Sequence, residues 1–339
     1  MMLTKEKSRH DRFAMWGGVL FSLLFTVLIW ALGSRLATID HLPDAGASWY
    51  YWQLPEQTLA GRYTAWGFYF AHQLTIWGLI WYAQTYVKKY TDGLHRVNQI
   101  ALAATAFFVF LHLVQTHIWY DGLAQDVSIF SSQWSVIIML IWIIIMENQR
   151  RGVFFGQKLP FPKRVMQFAR KYHGYYFAWA VIYTFWYHPM ETTGGHLLGF
   201  FYTFLLLLQG TLFFTRIHVN KWWMFVQEIV VLAHGTIVAV VGGQRLWPMF
   251  MFGFAGIFIV TQMHGLGLKP IVKNVFYALY IGAVLLVYSN VEGGISRIHE
   301  ITWIPITDYG VMIVMALVMW LLVKVGDWLP FGKEAPTAN

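Results

Sequence analysis

Histidine carries most of the chemistry this sequence could perform. The chain has 13 histidines and no cysteine. Disulfides, thiolate metal sites, Fe–S clusters and cysteine nucleophiles are therefore excluded. His10, His41 and His95 fall in loops or tails and carry no special reading. The remainder lie inside long apolar stretches or at their ends, where ionisable groups are costly and tend to mark sites. His72, His112, His117, His188, His196 and His234 form the candidate metal-ligating set. Neutral imidazole suits Cu, Fe, Zn and haem iron, and carboxylates complete or orient such a shell. The segment His188-Pro189-Met190-Glu191-Thr192-Thr193-Gly194-Gly195-His196 places two imidazoles and a carboxylate in one short turn. Glu191, Asp121 and Glu228 are the candidate acid/base residues. Each histidine taken singly is equally served by a hydrogen bond across helices or by an interfacial position.

A second spacing pattern crosses the first. His173 and His188 are 15 residues apart, and His218 and His234 are 16 apart. On helices these intervals correspond to roughly 22–24 Å. Two such helices could hold a pair of stacked b-type haems by bis-histidine ligation, one near each membrane face. His173, His188, His218 and His234 are the candidate ligands for that arrangement.

Several motifs are missing. The chain has no Walker A sequence, no G-x-S-x-G elbow and no H-E-x-x-H pair. Gly265-Leu266-Gly267 is a helix end with glycines, since no strand precedes it as a dinucleotide fingerprint requires. No two histidines are adjacent, and the clustered histidine boxes of membrane desaturases are absent.

The elements that must position these residues are apolar helices. Hydrophobic residues make up 58% of the chain and charged residues 12%, far from the composition of soluble domains. A bilayer crossing takes about 20 apolar residues in helical form. Such stretches fall at 13–33, 65–86, 97–118, 127–146, 172–188, 196–215, 222–242, 246–263, 271–289 and 308–326. The expected fold is an all-α, polytopic transmembrane bundle of ten spans, a single integral membrane domain over 1–339. No stretch alternates in the way a barrel strand would. The first span follows a basic N-terminus, is too long for a signal-peptide core and is expected to be retained.

Charge supports this count. With both termini cytoplasmic, 20 of the 24 Lys and Arg residues fall on the inner side. Only Arg35, Arg62, Arg245 and Arg297 fall outside, so the positive-inside rule favours an even number of spans. The net charge of +8 is therefore a matter of topology and anionic lipid, and no nucleic-acid partner is expected. Localisation is expected in the cell inner membrane. Ser48-Trp49-Tyr50-Tyr51-Trp52 reads as a short amphipathic segment along the outer interface. Pro160-Phe161-Pro162 reads as a stop followed by a helix start, with a basic amphipathic half leading into the fifth span. Ten spans with both ends inside is similar in topology to the membrane acyltransferases that modify surface polysaccharides. The Arg-containing motif and the first-span histidine of that family are absent, so the similarity transfers no site residues.

Direction along each span assigns depth. The six metal-candidate histidines all fall in the outer half of the membrane, with Glu191 and Asp121 in the adjoining loops. The leading expectation is a metal- or haem-dependent membrane oxidoreductase acting with a redox partner or a lipid-soluble substrate. The alternatives are a group-transfer enzyme with a His–carboxylate base, such as His188 or His196 with Glu191, and a proton-coupled transporter using Glu228 and His234.

Overall fold

The computed structural model describes residues 2–43, 52–243 and 245–328. Residues 48–51 of the expected interfacial segment lie outside the described residues. Among the described residues ten α-helices follow in order: α1 (Met2–Leu32), α2 (Leu59–Tyr86), α3 (Arg96–Trp119), α4 (Ile129–Arg151), α5 (Lys163–Tyr187), α6 (Gly194–Thr211), α7 (Lys221–Val241), α8 (Trp247–Val260), α9 (Pro270–Asn290) and α10 (Trp303–Trp328). No β-strand occurs among the described residues beyond two isolated bridges. Each helix overlaps one of the apolar stretches. Among the described residues, seven helical segments are long and apolar enough to cross a membrane: those built on α1, α3, α4, α7, α8, α9 and α10. The remaining three, α2, α5 and α6, carry His72, Gln73, His173 and His196 among their apolar residues, which lowers their hydropathy.

Local chemistry explains the helix limits. The Thr58 hydroxyl accepts from Gly61 N (3.0 Å) to start α2, and Asn220 Oδ1 accepts from Trp222 and Trp223 N to start α7. Pro270 opens α9, where its missing N–H costs nothing. Helix α5 begins at Lys163, directly after Pro162. Helix α6 stops at Thr211, short of the expected 215. Asn98 Nδ2 donates to the carbonyls of Thr211 (2.7 Å) and Phe213 (2.9 Å), satisfying groups left open at the helix end. The chain then turns at Phe214, with φ of 58°, to pair Thr215 with Thr91.

The contacts divide the chain into two compact units. The first comprises Met1–Val136 and Tyr175–Trp247, and the second Ile137–Gly174 and Pro248–Asn339. The chain passes between them inside α4, inside α5 and at the start of α8.

In the first unit α6 packs against α1, α3 and α7, while α2 packs along α3. Leu205 and Leu208 of α6 are buried with Leu212 and Trp223, and Met15 and Val19 of α1 pack on them. In lipid, burying leucine removes no surface from water, so helix association depends on close packing and hydrogen bonds. Gly18 provides that closeness. A Cβ there would stand 2.5 Å from Leu208 Cδ1, so any side chain at position 18 would require Leu208 to shift. Edge-to-face contacts of Phe25 with Phe110 and Phe204 continue the seam. On α1, Leu20, Leu24 and Val27 are exposed, as a lipid-facing surface would be.

In the second unit Thr261 is the central polar residue. Its hydroxyl meets Val153 O (2.6 Å) and Tyr309 Oη (2.7 Å), and Phe155 N donates to Val260 O (2.7 Å). Asn148 clasps Leu159 through both its amide groups, and Trp142 Nε1 donates to Ala169 O (3.0 Å). Phe252, Val284 and Tyr288 form the apolar cluster between α8 and α9.

Candidate functional site

The site lies wholly within the first unit, where the C-terminus of α3, the N-terminus of α6 and the chain after α1 meet. Residues His112 and Thr116, one turn apart on α3, hold the turn that follows α5. His112 Nε2 lies 2.8 Å from His188 O, and Met190 N donates to Thr116 Oγ1 (3.0 Å). Glu191 N closes the turn on Pro189 O (2.8 Å). The i,i+4 spacing puts both anchors on one helix face.

Glu191 is thereby fixed beside the end of α3. Tyr120, in the left-handed conformation with φ of 41°, caps that helix and turns its ring inward, where it is buried. Its hydroxyl donates to Glu191 Oε1. His41 Nε2 meets the same hydroxyl at 2.6 Å and lies 3.9 Å from Glu191 Oε1. Thr192 N donates to the other carboxylate oxygen (3.3 Å). Carboxylate, phenol and imidazole form one continuous chain. His117 and Arg35 lie within electrostatic reach of each other, and Glu191 also acts on His117.

The neighbouring residue Asp121 is almost fully enclosed, 1% exposed. Its Oδ1 accepts from Gly122 N (2.7 Å). Oδ2 points at the first turn of α2, where a Cβ on Gly61 would meet it at 2.7 Å. Burial pushes the Asp121 carboxyl up to about 7, against the pull of the Gly122 N–H, with a further upward push from Asp126. Asp126 is itself held by Arg62 Nε (2.9 Å) and Trp66 Nε1 (2.7 Å).

A group of imidazoles extends from this point into the bundle. The His188 and His196 rings are 5.5 Å apart, edge to face, and Trp52 contacts both at 5.1 and 4.8 Å. His196 Nδ1 meets Thr193 Oγ1, the residue that caps α6, at 2.7 Å. His234 of α7 is an electrostatic neighbour of both His188 and His196. Its ring fits over Gly199, where a Cβ would lie 3.0 Å from Nε2. Trp186 links His112 and His72: its ring lies tilted at 4.4 Å from the former, and it donates Nε1–H to Nδ1 of the latter (3.2 Å). Both histidines are 0% exposed.

All six histidines of the metal-candidate set, with Glu191 and Asp121, therefore occupy this unit. Glu228 does not join them. It is buried on α7 near Tyr202, about 9 Å along the helix from His234. The two-haem spacing is met at one level only. His188 and His234 come close, but His218 Nδ1 meets Gln209 O (3.1 Å) in the turn after α6. His173 belongs to the second unit, its Nδ1 2.7 Å from Arg170 O. Among the described residues, no three His, Asp or Glu side chains are gathered closely enough to hold a metal ion.

Sequence reasoning passed over His41, Tyr120, Trp52 and Trp186. His41 sits in a loop 79 residues from the tyrosine it meets, and no periodicity could connect them. Tyr120 offered only its position at the end of an apolar run.

The fold and site define an all-helical protein with membrane-length apolar helices and a buried histidine–carboxylate cluster in one of its two units. No family model, curated protein or solved structure matches the chain.

Proposed function

We propose that this protein is a membrane-embedded group-transfer enzyme, multi-pass in the cell inner membrane, that works by acid–base chemistry at the histidine end of its first unit. The carrying observation is the chain Glu191–Tyr120–His41, a buried carboxylate bonded to a phenol that also meets an imidazole. Such a chain can take a proton from an attacking hydroxyl and return it to a leaving group, the work of a general base and acid. Asp121 adds a group whose proton is exchangeable near neutral pH. All ten helices are spans in this reading, and both termini are cytoplasmic. The bias of basic residues supports it and puts the site in the outer half of the membrane. Its substrate is a lipid-borne or surface acceptor reaching it from that side.

The test is comparative product analysis. Lipid and surface-polysaccharide extracts are compared between cells making the wild type, Glu191→Gln and His41→Ala at equal levels. A product that accumulates with the wild type and disappears with both variants supports the reading. Retention of that product by both variants removes it.

A second reading, metal- or haem-dependent oxidoreduction, rests on the proximity of His188, His196 and His234. Copper, iron, zinc or b-type haem would be its cofactor, with a lipid-soluble substrate or redox partner, and binding there would require these rings to close in from their present spacing. Absorption spectra with and without dithionite, and metal analysis of the same purified sample, decide it. A Soret band or near-stoichiometric metal favours this reading, and the absence of both in freshly folded protein eliminates it.

A further inference from the structure

The first unit carries a groove of about 200 Å³ between α1, α3 and α6. Its floor includes Val109 of α3 and Phe204 and Leu208 of α6, all buried. Its rim opens at Gly17 of α1, which is exposed and has no neighbouring atom within 4 Å of where a Cβ would stand. Leu20 and Leu24 of the same helix are exposed, as lipid-facing residues are. The hydroxyls on the walls are mostly turned away. Ser22 Oγ donates to Gly18 O (2.8 Å) and Thr211 Oγ1 to Leu208 O (2.7 Å), each within its own helix. Thr105 Oγ1 is the lining hydroxyl that stays buried without a partner.

The groove runs toward the histidines. From Leu102 to Val109 it follows α3 for about 10 Å, and His112 stands about 5 Å further along that helix. At this end the Phe204 ring lies 6.1 Å from Phe200 and 6.2 Å from Phe185, and those two rings lie 6.3 and 4.7 Å from His112. Pockets that enclose a drug-sized molecule run to about 300–1,000 Å³. This one therefore takes a segment of a single chain and leaves the rest of the molecule outside. In lipid an apolar chain gains nothing from leaving water, so shape selects it. Where Gly18 faces Leu208 there is no room for one added methyl, since a Cβ on the glycine would stand 2.5 Å from Leu208 Cδ1. The shape favours an unbranched chain over a methyl-branched one.

We infer that this groove seats an unbranched acyl chain of the phospholipid on which the histidine cluster acts. This rests on the group-transfer reading above and narrows its lipid-borne substrate to an acyl glycerophospholipid. One end of the seated chain lies beside Phe185 and Phe200, a single ring away from His112.

The experiment uses the full chain in nanodiscs of diphytanoyl phosphatidylcholine, whose methyl-branched chains form the bulk bilayer. A trace of phosphatidylethanolamine with a diazirine on one straight chain is added and irradiated, and labelled peptides are mapped by mass spectrometry. Label on α1 and α3 at the groove should exceed several-fold the label on α2 around Phe70 and Leu74, which are exposed. Gly17→Leu fills the rim without meeting a neighbour and should cut that excess about ten-fold, as overfilling a fitted site does. Gly210→Leu, at an equally open glycine of α6 outside the groove, should leave it unchanged. Thr105→Val removes the lining hydroxyl and should also leave it unchanged. Gly17→Leu should lower the product that Glu191→Gln abolishes. No excess at the groove, an equal loss in Gly210→Leu or a loss in Thr105→Val would overturn the inference. An unchanged product in Gly17→Leu marks a structural lipid and also overturns it, with the group-transfer reading left standing. Retention of the product by Glu191→Gln removes that reading, and this one with it.

Discussion

Asp121 gives the sharpest quantitative expectation. Burial lifts its carboxyl from 3.8 to about 7 in the folded protein, while the unfolded chain keeps the ordinary value. Between those values the folded state holds a proton that the unfolded state has released. Stability is therefore full below about pH 4, declines as pH rises, and levels off above about pH 7. A shift of about 3 units corresponds to about 4 kcal/mol as an upper bound, and relaxation around a loop carboxylate reduces this to about 2–4 kcal/mol. Asp121→Asn keeps the shape and removes the titration. The bond from Gly122 N remains, and its charge assistance to the ionised form is already contained in the net shift. The variant should match the wild type or fall slightly below it in acid, and exceed it by about 2–4 kcal/mol at pH 8. Thermal unfolding in detergent, followed by circular dichroism from pH 4 to pH 8.5, reads this difference. Parallel wild-type and variant curves over that range would refute the argument.

Three further expectations follow from the same geometry. Tyr120→Phe withdraws the hydroxyl from a buried carboxylate and should cost about 1.5–3 kcal/mol; a cycle with Glu191→Gln should show the two changes to be strongly non-additive. Gly18→Val forces a side chain into Leu208 and should destabilise by about 1–3 kcal/mol, with partial recovery on adding Leu208→Ala. If metal analysis of the wild type is positive, His196→Ala and His234→Ala should each lower the bound metal. His173→Ala and His218→Ala, whose rings are engaged with local carbonyls, should leave it unchanged.

Much of the architecture was written in the sequence. Apolar stretches of bilayer length predict helices directly, because an unpaired backbone in lipid is prohibitively costly. Among the described residues ten helices stand where ten stretches stood, and Pro162 marked the start of α5 at the residue level. The end of α6 was not legible, since it depends on Asn98 reaching across from α3 to the carbonyls of Thr211 and Phe213. The candidate site was legible in part. The six candidate histidines His72, His112, His117, His188, His196 and His234 were named from their positions in apolar stretches, and all fall in the first unit.

The sequence by itself determined which elements form, because helix formation in an apolar segment is a local property. Only the tertiary structure decided which groups touch. It joined His41 to Tyr120 and Glu191, set Trp52 against His188 and His196, and turned the His218 ring to the Gln209 carbonyl instead. These contacts depend on how helices far apart in the chain pack, and that packing is set by shape at positions such as Gly18 and Gly199, where a missing side chain admits a neighbour.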